Sequence, residues 1–133
     1  MDIKDMTMQD IQLEIIRRNS FNGFDGVKIA NSLTRNKHLW KSVLMDSVSW
    51  SFAYEKGDKE CIQLIKLRDL DQNFFNVDTL FILPKEGKAE ELESFAKRNW
   101  RPDETKIVSG DKAGSWLGMG GFPDLKIVKL WWD

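Results

Sequence analysis

TLFILPKEGKAEELESFAKRNWRPDETKIVS, residues 79–109, decides the fold. Every position from Leu80 to Leu83 is apolar, the pattern of a strand covered on both faces. Downstream of KEGK, Ala89, Leu92, Phe95 and Ala96 share one helical face. Glu90, Glu91, Glu93, Lys97 and Arg98 fall on the other, which makes an amphipathic helix. Pro102 marks a connection, and TKIVS then reads as a short strand. The segment is therefore strand, helix, strand.

The alternation continues to the C-terminus. DKAGSWLGM reads as a short helix and DLKIVKLWW as a final strand, apolar on both faces apart from its lysines. Residues 78–132 thus form a β-α-β-α-β unit. Strands separated by helices at this spacing imply parallel pairing through right-handed crossovers.

Upstream, VSWSFAYE alternates Val48, Trp50, Phe52 and Tyr54 with smaller or polar residues, as a strand with one wet face does. KGDK supplies a turn at Gly57, and CIQLIKLR reads as a second strand. Residues 48–68 are therefore expected as an antiparallel hairpin. Ile62, Ile65 and Asp69 also fit a helical stripe, so a helix over 60–71 stays open as the alternative.

The N-terminal third reads as three helices. Thr7, with Asp10 three positions on, opens the first, which carries Met8, Ile11 and Ile15 on one face. SFNGFDG breaks it. Asp25 caps a second, with Ile29, Ala30 and Leu33 on its stripe, and Asn36 a third, with Leu39, Trp40, Val43 and Leu44 on its face. The expected fold is one α/β domain over residues 1–133, with α+β as the alternative. Its mixed sheet has about five strands, with the three N-terminal helices packed on it.

The bulk numbers exclude more than they specify. The chain has 133 residues, 41% hydrophobic and 31% charged, with 20 basic and 21 acidic side chains and a net charge of −1. A chain of that length buries a core without staples. Balanced charge gives no global attraction to nucleic acid or to an anionic membrane. Cys61 is the single cysteine, which rules out an intrachain disulfide and suits a reducing, cytoplasmic setting. MDIKDMTMQDIQ is not a signal peptide, and no apolar run is long enough to span a membrane.

Chemical motifs are sparse. One His and one Cys cannot make a Cys/His zinc site, and no D-x-D-x-D-G loop appears, so no metal and no cofactor is expected. His38 and Cys61 read as a solvated imidazole and a buried thiol rather than a base and nucleophile. No G-x-S-x-G elbow is present. No residue is assigned a catalytic role, and the reading leans away from an enzyme.

Five of the nine glycines lie between Gly110 and Gly121. SGDKAGS follows a strand and opens a helix, a place where backbone N–H groups favour an anion. No Walker loop matches, and Gly118-Met119-Gly120 lies after the helix, on the wrong side for a dinucleotide fingerprint. Structural roles explain these residues more fully. Asp111 suits an N-cap, Gly110, Gly114 and Gly118 a flat strip against a sheet, and Gly120 and Gly121 a left-handed helix end.

Three functional expectations follow. The first is a protein-interaction module of adaptor or immunity type, binding another protein or itself through exposed aromatics near the C-terminal strand. Trp100, Trp131 and Trp132 are its candidates, since Trp131 and Trp132 must point to opposite faces of a strand. Trp40, Trp50 and Trp116 are assigned to the core. The second is an enzyme or anionic small-ligand binder outside the carboxyl ends of the parallel strands, using Lys85, Ser109, Gly110, Asp111 and Lys112. The third, ranked last, is nucleic-acid binding through the basic segment 28–41. There, Lys28, Arg35, Lys37, His38 and Lys41 occur without an acidic residue, on two helices that would resemble a helix-turn-helix.

Overall fold

The computed structural model describes residues 2–46, 52–61, 64–120 and 124–133. The chain is mixed helix and sheet. Its described elements are α1 (Met8–Arg18), β1 (Ser20–Phe21), β2 (Phe24–Asp25), α2 (Gly26–Arg35), β3 (Trp40–Asp46), α3 (Phe52–Glu55), α4 (Ile65–Asp69), β4 (Thr79–Pro84), α5 (Ala89–Asn99), β5 (Glu104–Ser109), α6 (Gly110–Trp116) and β6 (Lys126–Trp131).

The start signals at the N-terminus work as read. The Thr7 hydroxyl accepts from the Asp10 amide at 3.0 Å, and the Asp10 carboxylate accepts from the Thr7 amide at 3.3 Å. This reciprocal box satisfies two of the amides a helix start leaves unpaired. Asp25 caps α2 by accepting from the Lys28 amide at 3.2 Å. Between the helices, Asn22-Gly23 turns the two-residue strands β1 and β2 back on each other, with Asn22 at φ 55°. The helices meet so closely at Gly26 that a Cβ there would lie 2.1 Å from the Ile16 carbonyl oxygen and 2.2 Å from that of Asn19. Only glycine fits this approach.

Residues 40–46, expected as a third helix, are the edge strand β3. The reason is a bulge. Register with β4 shifts between Trp40 and Ser42, so two residues are spent where one would alternate. Leu39, Trp40 and Val43 are buried together, and their i, i+1, i+4 spacing imitates helical periodicity in the sequence.

The hairpin expected over 48–68 is also corrected. Residues 48–51 and 62–63 lie outside the described residues. The described remainder is helical: α3, a 3₁₀ turn at Lys59–Cys61, α4, and a 3₁₀ turn at Leu70–Gln72. The alternative of a helix over 60–71 is met in part, since its described positions form two 3₁₀ turns and the short α4. Gly57, at φ 99°, follows α3 instead of turning a hairpin.

The main sheet has four strands in the order β3-β4-β6-β5, and every neighbouring pair is antiparallel. Along the chain the elements run β4, α5, β5, α6, β6, but their pairing is antiparallel, so they do not form the expected parallel β-α-β-α-β unit. Lengths explain why. The eleven-residue α5, about 16 Å long, matches a six-residue strand of about 20 Å and returns the chain to the start of the sheet. Thus β4 and β5 run the same way, but with β6 inserted between them. The seven-residue α6, about 10 Å long, cannot make that return, so β6 enters beside the end of β5 and runs against it. Antiparallel pairing throughout corresponds to the α+β alternative.

Paired residues share a face, which gives the sheet two unlike sides. Val43, Ile82, Val128 and Ile107 form one row of the core face, and Met45, Leu80 and Leu130 the next. Against them pack Leu13 and Ile16 of α1, Ile29 and Leu33 of α2, and Leu92 and Ala96 of α5. Among the described residues the helix on the second face is α6, whose Ala113 sits over Val108 and Ile127.

Trp132 closes the core. It is 1% exposed, its indole N–H donates to the Trp100 carbonyl at 3.0 Å, and its ring meets Phe24 edge-on at 4.9 Å. Trp132→Ala should therefore cost about 3–5 kcal/mol of unfolding free energy. Trp116→Ala, on the other face, should cost under about 1 kcal/mol. Urea titrations of both variants check the contrast.

Candidate functional site

The second face of the sheet is the candidate site, because α6 covers only part of it. Its middle row reads Leu44, Phe81, Lys129, Lys106 across β3, β4, β6 and β5. The row beside it holds Ser42, Leu83, Ile127 and Val108. Over β5 and part of β6 these residues are roofed by α6. Over β3, β4 and the near side of β6 they floor a groove of about 880 Å³.

Two elements make the walls. On the β3 side stands the first part of α1. The Gln9 side chain there accepts from the Val43 amide and donates to the Val43 carbonyl, both at 2.8 Å. One side chain thus satisfies both outward backbone groups of Val43 on an edge strand. It also brings Met8 and Gln12 to the rim, Met8 81% exposed.

On the opposite side stands the end of α6. The Gly118 amide donates to the Ser115 carbonyl at 3.2 Å, and the Met119 amide to the Gly114 carbonyl at 2.8 Å. With Gly118 at φ 68°, this is a complete Schellman ending. The left-handed residue is Gly118; Gly120, expected in that role, has no positive φ, and Gly121 lies outside the described residues. The ending sets Trp116 and Leu117 along the groove, with Met119 exposed just beyond.

Trp116 corrects its assignment to the core. It is 44% exposed, meeting Phe81 edge-on at 6.4 Å while the Lys112 ammonium stands 5.5 Å from its ring centroid. The helix turns Ala113 to the sheet, buries Gly114 against the Met119 carbonyl and leaves the large residue on its shoulder.

The expected aromatic surface is corrected as well. Trp100 and Trp132 are buried. Trp131 is half-buried, with its indole N–H donating to Asp78 at 3.1 Å. Among the described residues near the C-terminal strand, the aromatic that stands open is Trp116.

Of the strand-end set, Lys112 comes near the groove, beside Trp116 and Lys129, without lining it. Lys85 follows β4, and its amide donates to the Leu39 carbonyl at 3.1 Å. Ser109 sits at the N-cap position of α6, where its side chain makes no capping bond, and Gly110 and Asp111 open that helix. Lys85, Ser109, Gly110 and Asp111 do not line the groove. The basic set is exposed but not on a helix-turn-helix. Lys28 and Arg35 belong to α2, Lys37 and His38 to the connection after it, and Lys41 to β3. The Cys61 thiol, expected to be buried in a strand, is half-buried on a 3₁₀ turn and contacts the Asp58 carbonyl at 3.0 Å.

Electrostatics single out the end of the groove at β6. Lys106 and Lys129 are directly paired across strands, and Lys112 reaches the same place from α6. Among the described residues none of the three forms an ion pair with a carboxylate. Close approach to the Lys106 ammonium holds Lys112 below the ordinary lysine range, and Lys129 repels it further. Like charges placed opposite each other on a sheet are destabilising, so this cluster is maintained against its own repulsion.

Among the described residues no group of three His, Cys, Asp or Glu side chains is placed to hold a metal, and no helix is long and apolar enough to cross a membrane. No family model matches the chain, and no curated protein or solved structure matches it significantly. The geometry of the groove therefore has to carry the functional argument.

Because Lys112 is depressed by a neighbouring cation, Lys106→Met should raise its pKa toward the ordinary value, and added salt should do the same. Side-chain NMR titration of Lys112 reads this directly. An unchanged Lys112 titration in Lys106→Met would show that the two ammonium groups are not neighbours in solution.

Proposed function

We propose that the chain is a protein-interaction module whose docking site is the groove over β3 and β4. The observation that carries this reading is the row Leu44–Phe81, with Leu44 exposed and Phe81 half-buried, lying between Met8 and Trp116 on a sheet whose other face carries the main core. Large apolar side chains gathered in one concavity mark binding surfaces, whereas scattered ones do not. Trp116 supplies the aromatic anchor such sites favour, and its partial exposure leaves ring surface for a partner to cover.

The partner is another protein. Gln9, Gln12, Ser42 and Asp46 give the rim the polar groups that a protein interface carries around an apolar centre. A cytoplasmic setting is supported by the single thiol, Cys61. The enzyme or small-ligand reading keeps only Lys112 near the groove. The nucleic-acid reading would have to assemble five cations distributed over a helix, a turn and a strand.

Leu44→Glu places a charge in the groove without touching the core. It should weaken partner binding by at least about tenfold while leaving the melting temperature within a few degrees of the parent. Leu67→Glu, at an exposed leucine outside the groove, is the control. Affinity capture followed by cross-link mapping compares the two. Equal loss in both variants, or in neither, removes the groove as the site. A dimer by light scattering that dissolves in Leu44→Glu would make the occupant a second copy instead.

A further inference from the structure

We infer that the occupant of the groove is an amphipathic helix of three to four turns with acidic residues along one flank. This rests on the docking reading above and names the partner's chemistry. Three observations on the sheet lead to it.

The first is width. The roof formed by α6 covers β5 and only part of β6, leaving a floor that runs from β3 across β4 to the near side of β6. Two strand spacings make about 10 Å, the diameter of one α-helix. The walls at α1 and at Trp116 bound that width on either side. The second is length. Strands of six and seven residues run about 20 Å, and a helix covers that in three to four turns.

The third is charge, and it is directional. Reading from β3 to β5, the middle row changes from Leu44 and Phe81 to Lys129 and Lys106, with Lys112 overhead. A helix lying along β3 and β4 sets its apolar stripe on Leu44, Phe81 and Leu83. Its flank toward β6 then faces the three ammonium groups. Asp or Glu on that flank, at i, i+4 and i+7, meets the cations that no carboxylate of the described chain neutralises. A flat membrane has no ridge to enter a groove one helix wide, and a phosphate backbone gains nothing from a floor of leucine and phenylalanine. The combination of apolar floor and cationic side favours a protein helix.

The test uses Nile red, an uncharged apolar dye, bound to the purified full chain. Two synthetic helical peptides of about four turns compete for its place. They share a leucine stripe, and one flank carries Glu in the first and Lys in the second. The acidic peptide should displace the dye at a concentration at least about tenfold below that of its basic twin. The order should reverse in Lys112→Glu/Lys129→Glu, a variant that removes like-charge repulsion and so should fold. Equal displacement by both peptides, displacement by neither, or an order unchanged in the variant overturns the inference. So does displacement by anionic vesicles or duplex DNA at the acidic peptide's concentration. The docking reading fails separately, if Nile red does not bind or binds Leu44→Glu as well as the parent.

Discussion

The indole of Trp132 is the tie on which the rest of the structure depends. Its backbone amide donates to the Asp78 carbonyl just before β4, at 3.1 Å. Its side-chain N–H donates to the carbonyl of Trp100, the residue that ends α5. Its ring lies against Phe24, at the start of β2. One residue thus joins the last strand, the long helix, the first central strand and the turn between α1 and α2. These segments are far apart along the chain, so their association closes large loops and has to be repaid by burial. Trp40 does the same work at smaller scale, donating its indole N–H to the Leu33 carbonyl at the end of α2 at 2.8 Å. Each tryptophan buries a large apolar surface and also satisfies a carbonyl near a helix end.

This arrangement concentrates the cohesive part of the molecule on one side of the sheet. Three helices and the core-face rows of four strands share a single cluster. Among the described residues the other side has one short helix and a small satellite cluster around Val108, Ala113 and Ile127. A sheet needs one covered face to be stable, and antiparallel sheets tolerate solvent on the second. The open face is therefore free to carry residues chosen for something other than cohesion, and it carries apolar groups at one side and cations at the other.

Much of this order can be read from residue patterns, for reasons that are local. The capping box at Thr7 and Asp10, the cap at Asp25, the amphipathic stripe of α5 and the apolar runs of β4 and β6 are each specified by neighbours in the chain. What could not be read depends on distant pairing. The bulge after Trp40 disguised β3 as a helix, and only its register with β4 resolves it. The direction of β6 followed from helix lengths that place α5 and α6 in different classes of connection. The exposure of Trp116 and burial of Trp132 depend on which face each strand and helix turns inward. The groove was least legible of all. Leu44, Phe81, Lys129 and Lys106 are spread over 86 positions of numbering, from 44 to 129, and become one row only through two strand pairings beyond the first. Lys112 was the one site residue the strand-end reasoning reached, and it reached it through the wrong crevice. Gln9 carried no sequence signal, since its role is to complete an edge that was not expected at 40–46.

The lysine cluster bears on whether the open face is only residual surface. Agreement among local propensity, packing and charge is the ordinary condition of a stable domain, and departures from it gather at functional sites. At Lys106 and Lys129 the chain departs from it: β-strand pairing sets two cations opposite each other, and α6 adds a third. A solvated surface has no need of this, because a single Glu at any of the three positions would relieve the repulsion at no cost in packing. Elsewhere the same chain does pair its surface lysines, Lys126 with Glu90 at 3.0 Å and Lys97 with Glu93 at 3.9 Å. Lys126 is only three residues before Lys129 on the same strand, so the difference between them is one of face. On β6 the lysine of the core face, Lys126, is neutralised, and the lysine of the groove face, Lys129, is not, among the described residues. An occupant bringing carboxylates would complete on the open face the charge pairing that the chain completes for itself elsewhere.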